Sequence, residues 1–191
     1  MKIIVLDIET KNTFQEVGSN DPAKLDISLL VIYNYETQEY LTFMENNLNN
    51  LWPILEKTDL IIGYNSDHFD IPLLNKYYSG NLTAVGSLDL LTEIKSVVGR
   101  SIRLDNIAEA TLGKGKSGHG LQAIEWWKEG RIDKIEKYCR EDVKITKEIY
   151  EYALKNKKLK YKDLLNTVTF DVNTDLWDKK VSRAINYTLP L

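Results

Sequence analysis

The sequence predicts an α/β domain with a mixed central sheet flanked by helices. Two observations carry that expectation. The segments follow the order three strands, helix, strand, helix, strand and then helices. The opening run, Lys2-Ile-Ile-Val-Leu-Asp-Ile-Glu9, is apolar on both alternating faces, as a central strand covered on two sides requires.

The remaining elements follow from local pattern. Residues 27–35 and 38–44 read as two strands joined by a short turn at Glu36–Thr37. Leu48, Leu51, Ile54 and Leu55 sit at helical spacing within Asn47–Lys57, but Pro53 implies a late start or a kink. A short buried strand follows at Leu60–Gly63. Asp70 to Tyr78 reads as helical, with Pro72 in the first turn where proline is tolerated. Residues 82–88 suit a further strand. The chain to Asn156 is then mainly helical, interrupted at Gly113–Gly120 and at Gly130, and 159–172 alternates as a small hairpin. The expected organisation is a domain over residues 1–155 and a basic appendage over 156–191, comprising the hairpin and a tail.

Composition narrows the classes. The 191 residues include 43% hydrophobic and 28% charged side chains, an ordinary globular balance. A single cysteine, Cys139, excludes an internal disulfide framework, and with two histidines it cannot complete a four-ligand Cys/His zinc site. No apolar run approaches the ~20 residues that span a bilayer, and Asp7 arrives too early for a signal-peptide core. A soluble, cytoplasmic protein is expected, with no membrane partner. The net charge of −3 argues against a strongly basic nucleic-acid coat protein. The charge is uneven, however: residues 1–150 carry −6 and residues 151–191 carry +3.

The informative feature is acid where a core should be. Asp7 and Glu9 are two apart on a strand and share the face of Ile3 and Val5. On the last long helix, one stripe reads Ile135, Tyr138, Cys139, Asp142, Thr146, Ile149, Tyr150 and Ala153. Asp142 therefore lies in the stripe that packs inward, one turn after Tyr138. Buried carboxylates need cations or strong donors, and hard divalent ions suit several converging ones. A third acid, Asp70, follows the buried strand 60–63 and a polar loop. It reads either as a helix N-cap or as a group aimed across the strand ends at Asp7 and Glu9.

These three segments resemble the three motifs of the DEDD exonucleases, also called DnaQ-like, which share an RNase H-like fold. Asp7-Ile-Glu9 resembles motif I. Tyr64-Asn65 through Phe69-Asp70-Ile-Pro resembles motif II in the form found in proofreading domains of family-B DNA polymerases. Tyr138-Cys-Arg-Glu-Asp142 resembles motif III of the tyrosine (DEDDy) subclass; the histidine subclass would place its histidine at position 137, which is Lys137 here. Leu104-Asp-Asn-Ile-Ala and Leu112-Gly resemble the segment between motifs II and III. The resemblance spans roughly residues 1–155.

The resemblance implies that Asp7, Glu9, Asp70 and Asp142 hold two divalent ions, Mg²⁺ or Mn²⁺, that Tyr138 orients the nucleophile, and that Asn65 lies near the substrate strand. It implies 3′→5′ removal of nucleoside 5′-monophosphates from single-stranded DNA or RNA ends. The chain is too short to hold a polymerase domain as well, so a stand-alone nuclease or a subunit acting with a replication or repair protein is expected. The alternatives are an RNase H-like endonuclease and a non-catalytic nucleic-acid-binding module of the same fold. Ala110 to Ser117 satisfies a loose phosphate-loop pattern, but a helix rather than a buried strand precedes it, so no NTP is expected. Asp67 competes with Asp70 for the motif II role, though Ser66 and His68 beside it suggest an ordinary polar loop. Trp126 and Trp127 are expected to divide between core and surface.

Overall fold

A computed structural model describes residues 1–115, 120–164 and 166–177. Lys116, Ser117 and His119, and the tail of the basic appendage, lie outside the described residues. The central sheet contains β1 (Ile3–Thr10), β2 (Ile27–Asn34), β3 (Glu39–Met44), β4 (Leu60–Gly63) and β5 (Gly86–Asp89), in the order β3-β2-β1-β4-β5. The first three strands pair antiparallel, whereas β4 joins β1 and β5 joins β4 in parallel. The sheet is thus mixed, and β1 at its centre has neighbours on both edges.

Alternation along β1 sorts its side chains between two cores. Ile4, Leu6 and Ile8 pack with Leu30, Ile32 and Ile61, and with Ile71, Leu73 and Leu74 of α3 (Asp70–Asn75). Val5 packs on the opposite side with Leu29, Val31, Leu60 and Ile62 beneath α7 (Ile132–Asn156). Burying each such aliphatic side chain contributes on the order of 1.5–3 kcal/mol. All eight residues of the stripe read on α7 are buried, Asp142 included. Asp7 and Glu9, in phase with Val5, therefore belong to the α7 side of the sheet.

Three local expectations change. The helix anticipated over 47–57 is a 3₁₀ segment at Glu45–Asn50 followed by the single turn α2 (Trp52–Leu55), because Pro53 fits only at a helix start. The strand anticipated over 82–88 begins later: Leu82–Ala84 forms a 3₁₀ turn capped by Asn81, and β5 extends to Asp89. Helix α3 ends at Asn75, short of Tyr78. Elsewhere, α1 (Phe14–Val17), α4 (Leu90–Val98), α5 (Leu104–Leu112) and α6 (Gly120–Lys128) complete the α-helices of the described residues.

After α7 the chain turns through Lys157, which adopts φ 55°, into the hairpin β6 (Lys158–Asp163) and β7 (Asn166–Asp171). Leu159, Val172 and Trp177 are buried in the cluster beneath α7, with Trp177 stacked on Tyr150 at 5.7 Å. The Asn106 side chain pairs with both backbone groups of Lys162, and Thr111 does the same for Lys160. Among the described residues no helix is long and apolar enough to cross a membrane.

Candidate active site

A cleft of about 460 Å³ opens beyond the C-terminal ends of the parallel strands β1 and β4, the end of an α/β sheet where ligands bind. Asp7, Glu9, Asn65, Asp70, Tyr138 and Asp142 all line it. Each arrives from a different local cause. Asp7 and Glu9 occupy the last turns of the β1 pleat, and the pairing with β2 slips immediately after Glu9, which ends the regular strand. Tyr138 and Asp142 are one turn apart on the buried stripe of α7. Asp70 stands in the first turn of α3, where Phe69 occupies the N-cap position without a side-chain cap bond. The capping reading of Asp70 therefore does not apply.

The electrostatics are unusual for a protein interior. Glu9, Asp70 and Asp142 are 8%, 4% and 4% exposed. Asp70 Oδ1 is buried without a hydrogen-bond partner. Burial pushes the Asp70 carboxyl up to about 7, while N–H groups of Ile8 and of Asp70 itself act the other way and the charge of Asp89 adds to the rise. Oxygens of Asp7 and Glu9 and the Cys139 sulfur all lie within 4.8 Å of one another. The thiol donates to the Asp7 backbone carbonyl at 3.2 Å. Burial, followed by the neighbouring charges of Asp7 and Glu9, holds Cys139 well above the ordinary thiol range. It therefore stays a protonated packing group rather than a ligand for a hard cation. The carboxylate donors and the unsatisfied Asp70 oxygen fit a hard divalent ion.

The loop between β4 and α3 forms one wall. Gly63 permits its tight exit, since a Cβ there would run into Cβ and Oγ of Ser66. The Tyr64 hydroxyl donates to the Ile102 carbonyl at 2.6 Å, and Asn65 adopts the left-handed φ of 68°. Phe69 N–H then returns to the Asn65 carbonyl at 3.0 Å, and Ile71 N–H to that of Ser66 at 2.9 Å. Asp67 is exposed and accepts from Ser87 Oγ, so this acid is engaged away from the cleft.

Sequence reading missed three parts of the site. The rim includes Thr13 and Phe14, where Thr13 and Glu16 form a reciprocal capping box and Phe14 meets Phe69 edge-on at 6.1 Å. The Ser/Thr-x-x-Glu signature at Thr13–Glu16 was the available signal. Helix α6 supplies Leu121 and Ile124 to the opposite wall, and its Lys128 pairs with Glu16 at 2.6 Å. Both tryptophans of α6 are half-buried rather than divided: Trp126 rests edge-on against Tyr138, and Trp127 lies under Lys11. The third omission is Asp89, an acid between leucines at a strand–helix junction.

The mixed sheet and the acid-lined cleft at its strand ends define an RNase H-like α/β fold. The RNase_H superfamily profile matches residues 4–154, and the chain belongs to that superfamily. Its fold is similar to that of the family B DNA polymerase from the hyperthermophilic archaeon Pyrobaculum calidifontis, with a TM-score of 0.61 at 20% sequence identity. That match covers 81% of this chain and 24% of the polymerase, so the chain spans about a quarter of the polymerase's length. No protein of curated function matches it in sequence.

Proposed function

We propose that this chain is a metal-dependent 3′→5′ exonuclease that hydrolyses phosphodiester bonds at single-stranded DNA or RNA ends and releases nucleoside 5′-monophosphates. The observation that carries the reading is the convergence of Asp7, Glu9, Asp70 and Asp142 with Tyr138 on one cleft, where Asp70 buries an unsatisfied oxygen. The superfamily supports a nuclease, and the motif resemblance supplies the direction and the tyrosine subclass.

Asp7, Glu9, Asp70 and Asp142 would hold two divalent ions, Mg²⁺ or Mn²⁺. When bound, such ions supply Lewis acidity and a lowered water pKa for in-line displacement at phosphorus. Tyr138 would orient the attacking water through its hydroxyl. Its ring is held edge-on at 6.0 Å by Trp126, which limits its swing. Asn65, on the opposing loop, would contact the strand being shortened. Phe14, Leu121 and Ile124 give the cleft apolar surface for a base or sugar while the carboxylates face the phosphate. On this reading the chemistry resides in residues 1–155. A replication or repair protein would be the natural partner.

The test is incubation of 5′-end-labelled single-stranded DNA and RNA with and without Mn²⁺, followed by product sizing. A Mn²⁺-dependent ladder receding from the 3′ end is expected. Cleavage of a circular strand would instead favour an endonuclease, and binding without any cleavage would favour a non-catalytic module.

A further inference from the structure

The β4–α3 loop is held from behind by a carboxylate that the proposed chemistry does not use. Asp89, at the end of β5, is 2% exposed. Its Oδ1 accepts from the N–H of Asn65 at 2.8 Å, and its Oδ2 from that of Asp67 at 3.2 Å. The same Oδ1 also accepts from Leu91 at 2.9 Å and Thr92 at 3.4 Å, which caps α4. A helix cap alone needs one oxygen and two N–H groups. The reach to residues 22 and 24 positions earlier is additional. It ties the first turn of α4 and the loop to one buried carboxyl group. Asn65, the first of the two loop donors, holds the left-handed φ of 68°. Asn65 meanwhile lines the cleft.

We infer that Asp89 is the positioning residue for substrate-strand binding: by fixing the backbone of Asn65 and Asp67 it sets the orientation in which Asn65 meets the strand. This rests on the exonuclease reading of the cleft. Asp70 shares the loop's carbonyl contacts to Phe69 and Ile71 but has a further anchor outside the loop, the N–H of Ile8 on β1, so loosening the loop acts more on strand affinity than on the metal ligands.

The informative variant is Asp89→Ser in the full chain. A serine hydroxyl can still cap α4, but it is too short to hold Asn65 and Asp67 as well. Asp89→Asn is the milder companion, since its amide keeps one acceptor and opposes a donor to the Asp67 N–H. The measurements are KM and kcat on a single-stranded oligonucleotide in Mn²⁺, and anisotropy of the fluorescein-labelled strand in Ca²⁺. For Asp89→Ser, KM and the anisotropy Kd should both rise about 10-fold, with kcat changed by less than roughly 2-fold. Asp89→Asn should fall between that variant and the parent, and it carries the test if the serine variant does not fold. In an Asn65→Ala background, Asp89→Ser should add less than about 2-fold, because the group it positions is already gone. Full multiplicative losses in that background, or a fall in kcat at unchanged KM, would overturn the inference. If the parent protein binds the strand but does not cleave it, the exonuclease reading falls while the anisotropy comparison still decides the role of Asp89. A parent that binds no strand overturns both.

Discussion

The cleft and the loop behind it each bury an aspartate, and the two sites treat it in opposite ways. Asp89 is surrounded by four backbone N–H donors, so its burial is compensated within the fold. Asp70 is nearly as buried, yet one of its oxygens has no hydrogen-bond partner and its carboxyl is pushed up to about 7. Burial does not distinguish a structural acid from a candidate ligand; the surrounding donors do. A saturated carboxylate holds backbone in place. An unsaturated one is prepared for something the chain itself does not provide.

The largest expected effect removes the cleft side of this comparison. Asp7→Ala or Asp142→Ala should lower Mn²⁺-dependent release of nucleotides by about 10²–10³-fold or more, the scale of losing one preorganised electrostatic contact. The melting temperature of the metal-free protein should not fall. Near-parental activity in either variant would break the site assignment.

Stability should then separate the two aspartates by sign. The Asp70 carboxyl is raised from 3.8 to about 7, so the folded protein holds that proton more tightly than the unfolded chain. Without metal, stability is fullest below pH ~4, declines as pH rises through about 7, and is lower by up to about 4 kcal/mol at pH 8. Asp70→Asn should flatten that decline and raise the metal-free melting temperature at pH 8. It should also diminish the further rise that Mn²⁺ gives the parent. Calorimetry across pH 4–8, with and without Mn²⁺, checks both signs. Asp89→Ala should do the reverse, costing about 1–3 kcal/mol by stranding buried N–H groups, with or without metal in urea titrations.

The smallest effect is expected where an acid is already in water. Asp26 is held below the usual carboxylate range chiefly by its hydrogen bond to Lys76, but both side chains are substantially exposed. Lys76→Met should therefore shift stability by less than about 1 kcal/mol, and the shift should shrink at high salt. A large loss would show that this surface pair resembles the buried sites more than its exposure indicates.

Much of this was legible in residue order. Alternation along β1 and the stripe of α7 fixed which faces meet, and acids within those apolar patterns marked the residues that now share a cleft. What could not be read was long-range polar accounting. Asp89 is recognisable locally as a helix cap; its bonds to Asn65 and Asp67 exist only because β4 and β5 pair in parallel and end side by side. Likewise, nothing in the Gly63 neighbourhood announces that Ser66 folds back over it. The 3₁₀ segment at Glu45–Asn50 shows the converse: apolar spacing suggested a helix, and Pro53 decided where the α-helical turn could begin.

The side chains of Asn106 and Thr111 have a consequence for the far end of the molecule. Each offers both a donor and an acceptor to the backbone of β6, at residues two apart, so together they act as a surrogate third strand. A two-stranded ribbon with a free inner edge could slide by one step and turn every side chain over. Pinned at Lys160 and Lys162, this one has a single permitted frame, in which Leu159 faces the core and the lysines around it face water.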